Sequence, residues 1–149
     1  MRASLVLLVC VCLVIPAGCA TMGGVSADVD RRDVMHAVDR LAAVYAAGDP
    51  ADFMALVSVR YAGMYGALEE RVAADMADAP GAVYIIKTGE VMVGDAGRIA
   101  MEVRWERSVM TEGGAVPDGS GEAVLVFDRF GSVLKLTDQQ GDAPFPPGT

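Results

Sequence analysis

Arg98-Ile99-Ala100-Met101-Glu102-Val103-Arg104-Trp105-Glu106-Arg107-Ser108-Val109-Met110 alternates apolar and polar side chains with a period of two. Ile99, Met101, Val103 and Trp105 fall on one face, and Glu102, Arg104 and Glu106 on the other. That pattern belongs to an antiparallel strand with one face covered and one wet. Upstream, Val83–Val93 reads as a partner strand, turned by Gly94-Asp95-Ala96-Gly97. Downstream, a glycine-rich loop over Thr111–Ser120 leads to a third strand, Glu122–Arg129. Phe130-Gly131-Ser132 then makes a short turn into a fourth strand, Val133–Gln140. The tail Gly141–Thr149 carries three of the seven prolines and cannot extend a sheet.

Before Val83 the period is helical. Val34, Val38, Leu41 and Tyr45 recur at the spacing of one helix face, with Ala37 and Val44 on the same side. Asp30 is placed to cap that helix and Gly48 to close it. Asp49-Pro50 opens a short second helix whose inner side holds Phe53, Met54, Leu56 and Val57. Gly63 separates it from a third, with a stripe of Tyr65, Leu68, Val72 and Met76 and with Glu69, Glu70, Asp75 and Asp78 off that stripe. Ala79-Pro80-Gly81 ends it. Helices first and strands after give an α+β class: three N-terminal helices packed on a curved four-stranded antiparallel sheet.

This order resembles the NTF2-like (SnoaL-like) α+β cone, in which helices fill the concave side of a bent sheet. The closing stretch Gly121-Glu122-Ala123-Val124-Leu125-Val126-Phe127-Asp128-Arg129-Phe130-Gly131-Ser132-Val133-Leu134-Lys135-Leu136 is similar to the last hairpin of that family, with Leu134 where many members carry Trp. The resemblance covers residues 29–142 and leaves 143–149 as a Pro-rich tail. Isomerases, dehydratases, transport factors and assembly modules share this fold, so it implies no single function.

The N-terminus is an address. Arg2 precedes an unbroken apolar run, Leu5–Ile15, too short to span about 30 Å of hydrocarbon as a helix and suited to a signal-peptide core. Pro16-Ala17-Gly18-Cys19 resembles the lipobox of bacterial lipoproteins, although Pro16 stands where an aliphatic residue is usual. The resemblance implies a signal peptide over 1–18, acylation of Cys19 and a lipidated flexible tether over 19–28. Two or three acyl chains make a lasting membrane anchor. Ala20 in place of Asp beside Cys19 is compatible with the outer membrane of a host that has one. The alternative is plain secretion or a soluble periplasmic protein, with cleavage after Ala20. All three cysteines lie within the first nineteen residues, so the mature body has no disulfide framework, thiolate metal site or cysteine nucleophile.

The formal net charge of −8 argues against nucleic acid as a partner. No phosphate loop, cofactor motif or metal-ligand spacing is present in the sequence, so neither a cofactor nor a metal is expected. His36, the only histidine, lies off the apolar stripe and reads as solvated. Trp105 and Arg107 read either as the wall and polar handle of a ligand pocket or as core packing and an exposed strand end. Tyr61, Tyr65 and Tyr84 are candidates for the same lining or for core. Asp138 and Gln140 share a strand face with Leu134 and Leu136. If that face is inward, Asp138 stands at a cavity mouth as a proton acceptor, the role a carboxylate has in NTF2-like isomerases; otherwise both reach water. Three functions follow: an envelope lipoprotein binding a partner protein or small apolar ligand, an acid–base pocket enzyme for isomerisation or dehydration, or a homodimer paired through the Glu102/Arg104/Glu106 face.

Overall fold

The computed structural model describes residues 23–147; the apolar run, the lipobox and Cys19 lie outside them. Helix α1 spans Gly23–Ala47, α2 Pro50–Ala55 and α3 Tyr65–Asp78. Strands β1 (Val83–Val93), β2 (Ile99–Thr111), β3 (Gly114–Phe130) and β4 (Val133–Gly141) form an antiparallel meander in the order β1-β2-β3-β4. The expected α+β class and its three-helix, four-strand order are present.

The apolar stripes meet where their periods place them. Val34, Val38, Leu41 and Tyr45 of α1, Phe53 and Met54 of α2, and Leu68, Val72 and Met76 of α3 are buried against Ile99, Met101 and Val103 of β2. Leu125 and Phe127 of β3 and Leu134 and Leu136 of β4 complete that core. Gly48 closes α1 with φ +75°, a left-handed conformation that costs glycine little. Asp49 caps α2 by accepting from the N–H groups of Ala51 (2.9 Å) and Asp52 (3.1 Å).

Four features differ from the sequence reading. Asp30 is not a cap, because α1 already runs from Gly23; residues 23–28 of the expected tether continue the helix, with no proline to interrupt it. Asp30 and Asp33 instead receive Arg129 Nη2 from β3, at 3.0 and 2.9 Å.

The glycine-rich stretch Thr111–Ser120 is not a loop. Thr111 pairs with Gly114 across a two-residue turn, and β3 starts there. Asp118 is the extra residue between the pairs Arg107↔Gly119 and Ser108↔Pro117, so Pro117 sits beside a bulge, where its missing N–H is tolerated. The glycines have a packing reason. A Cβ on Gly119 would lie 3.3 Å from the Trp105 ring, and one on Gly121 would lie 3.1 Å from its Nε1.

A second bulge reverses the end of β4. Val126 pairs with Asp138 and Phe127 with Leu136, which leaves Thr137 as the extra residue. One inserted residue exchanges the faces of all that follow. Asp138 and Gln140 therefore leave the face of Leu134 and Leu136, and Gln139 takes the inner position. A third bulge, between Thr88 and Val91, places Gly89 against Glu102.

The tail does not extend the sheet, yet it is part of the domain. Pro144, Phe145 and Pro146 are buried, and Phe145 is 0% exposed among Tyr45, Phe53 and Tyr84. Core residues therefore extend beyond residue 142. Sequence periodicity cannot mark one phenylalanine among prolines as core, but the apolar area it removes from water can.

The inner layer yields a direct test. Phe127→Ala should lower unfolding free energy by about 3–5 kcal/mol in urea titration, because a fully buried ring leaves a cavity that its neighbours cannot refill.

Candidate active site under the tail

The polar groups of the inner face gather at the end of β2. Arg107 follows Val103 and Trp105 on that row, and the register carries it under α3 with only 3% of its surface exposed. A guanidinium removed from water needs anionic partners. Arg107 Nη1 donates to Asp75 Oδ1 and Oδ2 at 2.8 and 3.0 Å, and its Nε lies 2.9 Å from Asp118 Oδ2. Asp118 reaches it because the β3 bulge turns that residue out of the ladder's alternation. Asp75 also accepts from the Tyr45 hydroxyl at 2.5 Å, so α1, α3, β2 and β3 converge on one charge cluster.

Burial and the hydrogen bond to Asp75 push the Tyr45 hydroxyl far above the usual tyrosine range. Burial raises Tyr84 as well, partly offset by Arg107, whose guanidinium carbon lies 6.0 Å from the Tyr84 ring centroid. Burial opposes the charge on Arg107, but Asp75, Tyr84 and Asp118 hold its proton more firmly than usual. The Tyr84 hydroxyl and Arg107 Nε are both buried without a well-aligned hydrogen-bond partner, with Nε in ion-pair reach of Asp118 and the Tyr84 side chain set against Arg107.

Trp105 is buried beside this cluster, and its Nε1 donates to the Asp142 carbonyl at 2.6 Å. Tyr61 is buried; its hydroxyl accepts from Gln139 Nε2 at 3.1 Å, and burial raises its pKa. Tyr65 is half-buried and donates to the Met54 carbonyl at 3.2 Å. Trp105, Arg107, Tyr61 and Tyr84 thus share one end of the cone, but packed side chains and the Phe145 ring occupy it.

Asp138 and Gln140 lie on the opposite, outer face. Gln140 donates to Asp138 at 2.8 Å, and both line a shallow hollow of about 460 Å³ with Arg60, Arg98, Val124 and Asp128. His36 is exposed, as expected, at the rim of a separate groove of about 220 Å³ between α1 and the β3–β4 turn. The sequence pattern sets Asp75 off the apolar stripe and does not single out Gln139. The first lies one residue before stripe residue Met76, and the second is turned inward only by the Thr137 bulge. Among the described residues, no group of three or more His, Cys, Asp or Glu could hold a metal, and no helix is long and apolar enough to cross a membrane.

No protein-family model matches the chain, and no curated protein matches it in sequence. Solved structures do match in fold. A candidate dehydratase of the NTF2-like family from Streptomyces avermitilis superposes with TM-score 0.64 at 15% identity, over 76% of this chain and 96% of that one. An NTF2-like protein with a cystatin-like fold from Novosphingobium aromaticivorans gives 0.61 at 15% identity, over 83% and 90%. A candidate calcium/calmodulin-dependent protein kinase II association domain from Xanthomonas campestris gives 0.64 at 12%, over 75% and 86%. The fold is the NTF2-like, cystatin-like α+β fold.

Two outcomes follow from the cluster. Asp75→Ala leaves the buried guanidinium with Asp118 alone and should cost about 3 kcal/mol in urea titration, whereas Arg107→Met, which leaves Asp75 partly facing water, should cost less than half of that. Tyr45, Tyr61 and Tyr84 bind their protons more tightly when folded, so the unfolded chain loses protons first as pH rises. Stability should hold below the ordinary tyrosine value of 10.0 and fall above it. Tyrosinate absorbance at 295 nm should then rise together with loss of the far-ultraviolet signal.

Proposed function

We propose that this chain is an exported lipoprotein, anchored at Cys19, whose NTF2-like domain is a binding module that engages a protein partner through the outer face of its sheet. One observation carries the choice of a module over an enzyme: the interior of the cone is taken up by the chain itself. Phe145 fills it, and Arg107, Asp75 and Tyr45 are committed to one another. The acid–base alternative relied on Asp138 inside the cone, and Asp138 lines the outer hollow. A small apolar ligand would need the volume that Phe145 occupies.

The outer face has what an interface needs. Ile85 and Met92 of β1 are 57% and 43% exposed. Ala100, Val124 and Asp138 continue that surface across the sheet. Around them lie the exposed ion pairs Lys87–Glu106 and Arg104–Glu122. Both signs of charge on one face suit a two-fold pairing, in which each residue meets its complement on a second copy. The same fold serves a candidate association domain and a candidate dehydratase, so the reading rests on the site and not on the likeness.

Anchor and module are tested separately. Intact mass from the native membrane fraction should begin at Cys19 with acyl chains and lose them in Cys19→Ala; an unmodified chain beginning at Thr21 would replace the anchor with free secretion. Light scattering of the Cys19→Ala protein at tens of micromolar should give a dimer, and Ile85→Glu with Met92→Glu should make it monomeric without loss of fold. A wild-type face that stays monomeric at every concentration removes the second-copy partner.

A further inference from the structure

The groove between α1 and the β3–β4 turn lies apart from the filled interior of the cone and from the outer face of the sheet. Its floor is hydrocarbon, lined by the buried Leu41 of α1, Phe127 of β3 and Leu134 of β4. Its rim is polar. His36 and Arg40 are exposed and four residues apart, so they stand one above the other on the same side of α1. Ser132 of the turn lines the groove with them.

The charge at this rim is one-sided. Asp33 also lines the groove, but its Oδ2 lies 2.9 Å from Arg129 Nη2 and is balanced there. Asp39, next to Arg40 in sequence, lines a hollow on the other flank of α1, towards β1. Among the described residues neither Arg40 nor His36 has an ion-pair partner. Arg40 therefore presents a guanidinium fork without an anion, and the His36 imidazole offers an N–H whatever its tautomer. The net charge of −8 does not cancel this, because charges beyond about 8 Å are largely screened at physiological salt.

We propose that this groove binds a small carboxylate with a compact apolar tail, about one ring in size. The carboxylate sits on Arg40 and His36, and the tail lies over Leu41, Phe127 and Leu134. Volume sets the size. An apolar cavity of about 150 Å³ takes benzene, so one of about 220 Å³ holds a ring and a carboxylate. Drug-sized ligands need roughly 300–1,000 Å³, more than this groove offers. Chemistry sets the head group. Guanidinium and carboxylate match through two parallel N–H···O bonds, stronger than those to a neutral acceptor. An apolar lining with a few converging polar groups is the usual make-up of a small-molecule site. This goes beyond the outer-face reading and does not rest on it.

Phenylacetate is the probe. It is titrated into the isotopically labelled full-length protein while backbone amides are followed by NMR. The amides of His36, Arg40, Ser132 and Val133 should shift together and saturate, while those of Lys87 and Arg104 on the outer face stay still. Phenylacetamide has the same shape without the charge and should bind at least ~10-fold more weakly. Phenylacetate should lose at least ~10-fold in affinity for Arg40→Gln, a change at an exposed side chain that leaves the floor and the fold intact. Absence of a saturable shift up to tens of millimolar phenylacetate overturns the proposal. So does equal affinity for the amide, or an Arg40→Gln protein that binds as the wild type does.

Discussion

A guanidinium cannot lose its charge at any ordinary pH, so hiding one from water obliges the surrounding chain to supply negative charge. Arg107 imposes that obligation here. It follows Trp105 on the inner row of β2, and alternation carries it under the helices. Asp75 must then come from α3 and Asp118 from β3, while Tyr45 of α1 secures the carboxylate from its other side. The registers of α3, α1 and the β2–β3 ribbon are thereby tied together at one point. An apolar residue would pack there with less demand, but it would tolerate a slip of either helix. The ion cluster does not.

Much of this architecture was legible because it follows from period. The stripe Val34, Val38, Leu41, Tyr45 and the row Ile99, Met101, Val103, Trp105 are buried where a repeat of 3.6 or 2 puts them. Bulges break that logic. A single extra residue at Thr137 places Asp138 outside and Gln139 inside, and the composition of Leu134–Gln140 contains no sign of it. The Asp118 bulge hid in a stretch whose glycines read as a loop, when they are the flat bed on which the Trp105 ring lies. The inward direction of Arg107 was one of two readings, and only its partners decide between them. Those partners lie 32 residues upstream and 11 downstream, and nothing in local pattern connects them.

The tail shows the same limit in another form. Its prolines exclude it from the ladder, as they should, and so draw attention away from the one ring that the core requires. Tyr45, Phe53 and Tyr84 leave a gap of aromatic shape at the end of the cone, and the chain fills it with its own Phe145. A cone with this fold but without such a segment would present a hollow lined by tyrosines and a buried arginine. Whether the fold serves as a vessel or as a solid block is thus decided by a few residues beyond the last strand.

The bulge at Gly89 and Glu90 matters outside the folded monomer. The Leu56–Ala62 segment lies along β4, bonded to Leu136 and Thr137, so that margin of the sheet is covered. Among the described residues β1 pairs only with β2, and it carries exposed Val83, Ile85, Met92 and Val93 along that edge. A straight edge of that composition would be a template for strand-by-strand growth into fibres. The extra residue twists the edge midway, and Lys87 and Glu90 set charges beside the kink. An irregularity of pairing inside one molecule thus also makes the edge a poorer template for strand addition between many.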